Sequence, residues 1–226
     1  MTQKAALFDV DGTLTDIRVW EGILEYFRQR GLRQWTHRFY WIYHFPIYLL
    51  RKFGLISEGS FRKPWAAHLA WYFRGYSPSE TEDIWIWVTQ EFLASHWRED
   101  ILILLNQHKQ SNDLVMLVSA GPEPLITFIA NVIGADVGIG TELEIKDGKY
   151  TGNSLPPVCI NEFKAQKVKT TLQKDNLTID YAASFAYADS ISDQQLLELA
   201  GHPVAVYPDE SLRKLASQNF WGILPS

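Results

Sequence analysis

A chain of 226 residues with 46% hydrophobic and 21% charged side chains is long enough for one large or two modest globular cores. Its net charge of -5 leaves no excess of Lys and Arg to neutralise a nucleic-acid backbone, although a small phosphorylated ligand needs only local positive charge. The single cysteine, Cys159, cannot form an internal disulfide, and four apolar residues between Lys4 and Asp9 are too few for a secretory leader, so a cytoplasmic location is expected.

The first element is a short apolar run, Ala5-Ala6-Leu7-Phe8, which reads as a buried strand with a carboxylate at its tip. Asp9-Val10-Asp11-Gly12-Thr13 follows, placing two acids within three residues before a glycine frees the backbone to turn. One acid of such a pair can attack or bind a metal while the other handles a proton.

Residues 17–100 read as an all-helical insert. Eight of the nine tryptophans lie there, and Trp20, Ile23, Leu24 and Phe27 recur at helical spacing. Ser77-Pro78-Ser79-Glu80 is a helix-start signal ahead of Ile84, Trp87, Val88 and Phe92. Within the insert, twelve residues from Phe39 to Leu50 carry no formal charge, flanked by Arg38, Arg51 and Lys52. The run is too short to span a membrane, which takes about 20 residues. Two readings of it stand: a buried core for the insert, or an apolar lid over a lipid-like phosphate that touches a membrane surface. His37 and His44 carry no ligand pattern.

After residue 100 helices and strands alternate. A helix is predicted from Ile101 to His108 and a strand from Leu114 to Val118 ending at Ser119-Ala120-Gly121. Pro122 or Pro124 then opens a helix bearing Leu125, Phe128, Ile129, Val132 and Ile133. Thr141–Ile145 and Lys149–Thr151 flank the hairpin signal Asp147-Gly148. A helix near 162–174, a strand from Ser184 to Ala188, a helix from Asp193 to Ala200 and a strand from Pro203 to Tyr207 complete the pattern. This alternation predicts an α/β fold, a Rossmann-like three-layer core with a mainly parallel sheet, formed by 1–16 and 101–226 and interrupted by a helical cap at 17–100. Polar tips follow three strands, at Asp9/Asp11, Ser119 and Asp189-Ser190-Ile191-Ser192-Asp193. Ligands of open parallel sheets bind beyond such strand ends.

These segments resemble the haloacid dehalogenase superfamily. The carrying residues are Asp9-Val10-Asp11-Gly12-Thr13-Leu14-Thr15, Val118-Ser119-Ala120-Gly121, Lys164, and Ala188-Asp189-Ser190 with Asp193. The insert after the first motif, the Asp-Ser-x-Ser-Asp form of the last and Gly201-His202-Pro203-Val204-Ala205-Val206 are similar to the phosphoserine-phosphatase-like branch. The resemblance implies a phosphatase of small phosphorylated substrates that uses Mg²⁺. Asp9 would be the nucleophile, giving an aspartyl phosphate, and Asp11 the general acid and base. The metal would be held by Asp9, the Asp11 backbone carbonyl and Asp189. Ser119, Ala120, Gly121 and Lys164 would bind the phosphoryl group, with Asp193 as an outer acceptor. An acid at position 11 favours phosphoryl transfer over dehalogenation, because a halide needs no proton.

Three positions depart from the pattern or leave it open. Ala188 stands where the family has Gly. Cys159-x4-Lys164 matches the branch's spacing, and Lys167 is the competing lysine. Arg18 stands near the place of a glutamate that contacts the substrate amine in phosphoserine phosphatases, which suits an anionic or hydroxyl-bearing substrate instead. A lipid-phosphate phosphatase and a non-catalytic phosphate-binding protein are the alternative functions. Asp11 weighs against the second, since binding alone needs no proton donor. Oligomeric state has no signature in the sequence.

Overall fold

Every residue of the first strand, β1 (Ala5–Asp9), is buried, because apolar side chains on both faces of a strand demand a layer on each side. Ala5 and Leu7 pack into one apolar cluster and Ala6 and Phe8 into another, so the sheet is sandwiched. The computed structural model describes residues 3–56 and 58–225, with side chains except those of Glu58 and Gly59.

Between β1 and the next strand the chain is helical: α1 (Val19–Gln29), α2 (Gln34–Lys52), α3 (Glu58–Ala67), a 3-10 segment His68–Phe73, α4 (Glu82–Trp87) and a π-turn Val88–Phe92. Then follow α5 (Glu99–Gln110), β2 (Leu114–Pro122), α6 (Glu123–Ile133), β3 (Val137–Thr141), β4 (Leu143–Lys146), β5 (Lys149–Ser154) and α7 (Glu162–Lys174). The chain closes with β6 (Phe185–Ala188), α8 (Gln194–Leu197), β7 (His202–Val206), α9 (Glu210–Gln218) and β8 (Gly222–Leu224). Six strands form one parallel sheet in the order β3-β2-β1-β6-β7-β8. The central pairs are β1 with β2 and β1 with β6, so the tips of all three lie side by side. Residues of α5 and α6 join the Phe8 cluster, and those of α7, α8 and α9 join the Leu7 cluster. The result is the three-layer α/β architecture expected of the sequence.

The insert is welded to this sheet rather than hung from it. Ile23, Phe27, Ile84 and Trp85 share one continuous cluster with Phe8, Leu125 and Ile129. Full burial of a side chain such as Ile23 or Phe27 contributes about 1.5–3 kcal/mol. The Ser77 signal forms a capping box: the Ser77 N–H donates to the Glu80 carboxylate at 2.7 Å, and the Glu80 N–H donates back to Ser77 Oγ at 3.4 Å. The β4–β5 hairpin turns through Asp147 (φ 51°) and Gly148 (φ 74°) and reaches across to the insert, where Gly75 and Tyr150 exchange backbone contacts with Tyr150 and Tyr76 at 2.8 Å each.

Several sequence expectations are corrected. The predicted strand 141–145 is two elements: Thr141 ends the edge strand β3 and Leu143 begins β4. That edge strand escapes a reading by apolar pattern because Gly138 and Gly140 pack against the α6 backbone, where a Cβ would fall within 2.7 Å of Thr127 and Glu123 atoms. The helix expected from Asp193 to Ala200 shortens to α8 after a 3-10 turn, and α9 and β8 add a closing unit. The run Phe39–Leu50 is not a buried core. Only Tyr40 and His44 of α2 are fully buried, and Phe39, Trp41, Ile42, Tyr43, Phe45, Tyr48 and Leu50 are exposed.

His44 is held by its own helix, its Nδ1 at 2.7 Å from the Tyr40 carbonyl, and its Nε2 lies 3.2 Å from His68 Nδ1. Burial, then the neighbouring His44, lowers the His68 pKa from 6.5 to about 4, so the folded chain resists a proton that the unfolded chain accepts. Stability is therefore expected to fall as pH drops from 6.5 towards 4 and to level off below. Thermal melts across that range check this, and His68→Gln is expected to flatten the slope relative to the parent.

Candidate active site

Each polar tip is delivered by a local cause. Asp9 is the last residue of β1, and its carboxylate points past the sheet edge, where Thr13 Oγ1 donates to its Oδ2 at 3.1 Å. Gly12 adopts φ 96°, and a Cβ there would lie 2.2 Å from Asp189 Oδ2. Only glycine lets the first turn tuck beneath the Asp189 carboxylate. Asp11 accepts the Val19 N–H at 2.7 Å, so it caps the start of α1 with its Oδ1. Its Oδ2 accepts from Ser119 Oγ at 3.2 Å, which joins the tips of β1 and β2. Asp189 follows β6. Its loop is tied down by Asp209, whose N–H donates to the Asp189 carbonyl at 2.8 Å and whose carboxylate accepts the N–H groups of Ile191 and Leu212.

At the centre sits Lys164, on the first turn of α7, buried. Its Nζ lies 2.5 Å from Asp9 Oδ1 and 2.8 Å from Asp193 Oδ1. Burial alone would lower its pKa, but Asp193 and Asp9 outweigh it and hold the ammonium above the usual lysine range. Lys167, one turn on, pairs instead with Glu142 at 2.7 Å, away from Asp9. The structure thus gathers Asp9, Asp11, Ser119, Lys164, Asp189 and Asp193 at one rim of the sheet. Ala120 and Gly121 line the same cleft, where the Gly121 N–H donates to Ser119 Oγ at 3.1 Å.

The electrostatics are unbalanced towards negative. One oxygen each from Asp9, Asp189 and Asp193 lie within 4.8 Å of one another, and Lys164 is the ammonium paired with two of them. Three carboxylates and one ammonium leave two negative charges. Burial, then Asp9 and Asp193, pushes the Asp189 pKa from 3.8 up to about 8. Burial also raises Asp193, partly offset by Lys164. Asp193 Oδ1, though close to Lys164, is buried without a well-directed hydrogen bond. A hard divalent cation fits this donor set: carboxylate oxygens only, and more acid than the one ammonium can balance. Asp11 differs in kind. Burial raises its pKa, opposed by the Val19 N–H and then by Arg18, Lys164 and Arg62, so its proton is held more tightly than an exposed acid's.

Beyond Asp11 opens a cleft of about 430 Å³ between the sheet rim and the helices of the insert. Arg18, Arg51 and Arg62 line it together with aromatic side chains that include Trp20, Trp41 and Trp65. Arg18, singled out from the sequence, does face this space. Arg62 was not: it comes from α3 and donates to Ser192 Oγ at 2.7 Å, bridging 130 positions. No spacing rule reveals such a contact. Thr13 was visible only as part of its motif, and its bond to Asp9 is a finding of the structure.

Breaking the Lys164 pair leaves buried carboxylates facing each other. Lys164→Met is expected to cost about 3–5 kcal/mol, read as an earlier midpoint in urea unfolding. A change under about 1 kcal/mol, the size of a surface pair, would mean that Lys164 is not held between these acids.

Comparison with known proteins bears on the family and the fold. A model of the haloacid dehalogenase-like hydrolases matches residues 6–198. A histidinol-phosphatase of Neisseria meningitidis serogroup C is 29% identical over 98% of this chain and 98% of its own. A phosphoserine phosphatase of Mycobacterium tuberculosis is 29% identical over 97% of this chain and 70% of its own. Among solved structures, a Bordetella pertussis protein of unknown function superposes with a TM-score of 0.82 at 24% identity, covering 99% of this chain and 98% of that one.

Proposed function

The chain belongs to the haloacid dehalogenase-like hydrolases and is a phosphoric monoester hydrolase, and from that premise we propose that it hydrolyses small phosphomonoesters through an aspartyl phosphate on Asp9, with Mg²⁺ as cofactor. The observation that carries this reading is the pairing of two differently treated acids at one strand tip. Asp9 is gripped by Lys164 and Thr13, while Asp11 is half-buried, raised in pKa and turned towards the cleft.

In the first step a carboxylate oxygen of Asp9 forms the bond to phosphorus as the bond to the leaving oxygen breaks. Asp11 delivers its proton to that leaving alkoxide, a role for which a raised pKa is suited. In the second step water attacks the phosphorus of the aspartyl phosphate, and Asp11 takes back a proton. Inorganic phosphate leaves and the Asp9 carboxylate is restored. Repulsion between a carboxylate and a phosphoryl oxygen about 4 Å apart amounts to roughly 4 kcal/mol at an effective dielectric near 20, which must be offset. Lys164 supplies part of that offset from its place beside Asp9; the Ser119 hydroxyl, on turning from Asp11 Oδ2, and the Ala120 amide would supply hydrogen-bond donors, while the Gly121 N–H holds Ser119 Oγ in place. Bound Mg²⁺, held by the Asp9 and Asp189 carboxylates and the Asp11 carbonyl, would supply the remaining positive charge. Asp193 acts through Lys164, fixing where the ammonium sits.

We assign residues 17–100 as a cap that encloses the leaving group and residues 1–16 and 101–226 as the catalytic core. The relatives act, by name, on histidinol phosphate and phosphoserine, whose leaving groups carry an amine. Here the charged groups lining the cleft among the described residues are Arg18, Arg51, Arg62 and Asp11. That wall favours leaving groups that are neutral or anionic and partly apolar over cationic ones. A cytoplasmic setting, suited to the lone buried Cys159, belongs to the same reading.

Asp9→Asn is expected to abolish phosphate release from a phosphomonoester panel with Mg²⁺. Asp11→Asn is expected to lower kcat by about 10²–10⁴ and to let phosphoenzyme accumulate, seen as a burst after acid quench. Wild-type turnover by Asp9→Asn would remove Asp9 as nucleophile.

A further inference from the structure

The helix α2 is built inside out. Its inward stripe is polar: Tyr40 and His44 are buried, Thr36 and His37 are half-buried, and His37 Nδ1 meets the Tyr72 hydroxyl at 2.9 Å. Its outward stripe is apolar. Trp35, Phe39, Ile42, Pro46 and Leu50 follow one another at three- and four-residue steps, and Phe53 continues the line just past the helix end. Trp35 is 70% exposed, Phe39 62%, Ile42 68% and Phe53 73%. Scattered surface apolar residues need no explanation, but a contiguous stripe along a 19-residue helix does.

The charge around this stripe is equally one-sided. Along α2 itself, Gln34–Lys52, the chain carries Arg38, Arg51 and Lys52 and no Asp or Glu, although the whole protein has a net charge of -5. Arg38 lies over the Trp35 ring at 5.0 Å, and Lys52 is exposed beside Phe53. No helix among the described residues is long and apolar enough to cross a membrane, which leaves lying flat as the way for such a helix to meet lipid.

We infer that α2 docks the protein on an anionic lipid surface, its outward aromatic stripe entering the headgroup layer and its flanking Arg and Lys residues facing lipid phosphates. Charge decides between this occupant and a second copy of the chain. A two-fold contact through α2 would bring a basic, acid-free segment against itself, whereas an anionic bilayer neutralises it. Aromatic rings with basic neighbours are suited to the membrane interface, where one end of a side chain is dry and the other wet. The placement also has a consequence for the cleft. Trp41, Phe45 and Tyr48, on the flank of the same helix, wall it, so docking brings the mouth of the cleft to the lipid surface.

Flotation with vesicles tests this, using phosphatidylcholine alone and phosphatidylcholine mixed with phosphatidylglycerol. The wild-type protein is expected to float with the mixed vesicles and not with the neutral ones. Binding is expected to drop about tenfold or more in high salt, as the screening length shrinks from about 10 Å to about 3 Å. Trp35→Ser/Phe39→Ser/Ile42→Ser, and separately Arg38→Glu/Lys52→Glu, are expected to abolish flotation while p-nitrophenyl phosphate turnover and the melting temperature stay at wild-type values. That turnover control separates a failure of docking from a failure of the hydrolase assignment. Wild-type protein that ignores both vesicles overturns the inference, and so does undiminished flotation of the triple variant. A dimer that the triple substitution splits, without vesicle binding, would assign the stripe to a second copy and overturn it equally.

Discussion

The contact of Lys164 with Asp9 and Asp193 is the constraint around which the rest is arranged. A buried ammonium without partners would lose its proton, and buried carboxylates without a cation would take one up. Together they fix each other's charge and position. One lysine does not balance the group, however, because Asp189 stands within reach of the same two acids. The protein thus folds around a deliberate shortfall of positive charge, partly hidden from water. Such a shortfall costs stability unless something with positive charge fills it, and a divalent cation accompanied by a phosphoryl group fits both the sign and the donor chemistry.

The parallel sheet is what allows residues nearly two hundred positions apart to share this point. β1 lies between β2 and β6, so carboxyl-terminal tips from three separate segments end on one rim. α7 enters from the other face and points its first turn at the same rim. The helical insert leaves the sheet between Asp11 and α5, and Asp11 itself caps α1. Asp11 and the entry to the helical insert are therefore mechanically one unit, and the apolar cluster that continues from Phe8 to Ile84 gives that unit a rigid seat.

Much of the core was legible because its signals are local. An apolar run ending in Asp-x-Asp-Gly, a strand ending in Ser-Ala-Gly and a helix with Lys164 on its first turn each announce themselves within ten residues. The choice between Lys164 and Lys167 was not legible, since both lie near the start of α7 and only the fold shows that the second turns towards Glu142. β3 was hidden because Gly138 and Gly140 have no side chains to pattern. Arg62 was hidden because its partner lies on another element. The run Phe39–Leu50 misled in the opposite direction. Apolar composition reports a preference to leave water, not which surface provides the exit, and here Tyr40 and His44 turn inward while the stripe turns out.

The most direct test is a crystal structure of the protein soaked with Mg²⁺ and beryllium fluoride, a mimic of a phosphoryl group on a carboxylate. The account predicts beryllium bonded to an Asp9 oxygen, the cation against the Asp189 carboxylate, and the Lys164 ammonium beside a fluoride. Beryllium fluoride and Mg²⁺ settling elsewhere, with the Asp9 carboxylate left bare at full occupancy of both ligands, would contradict it.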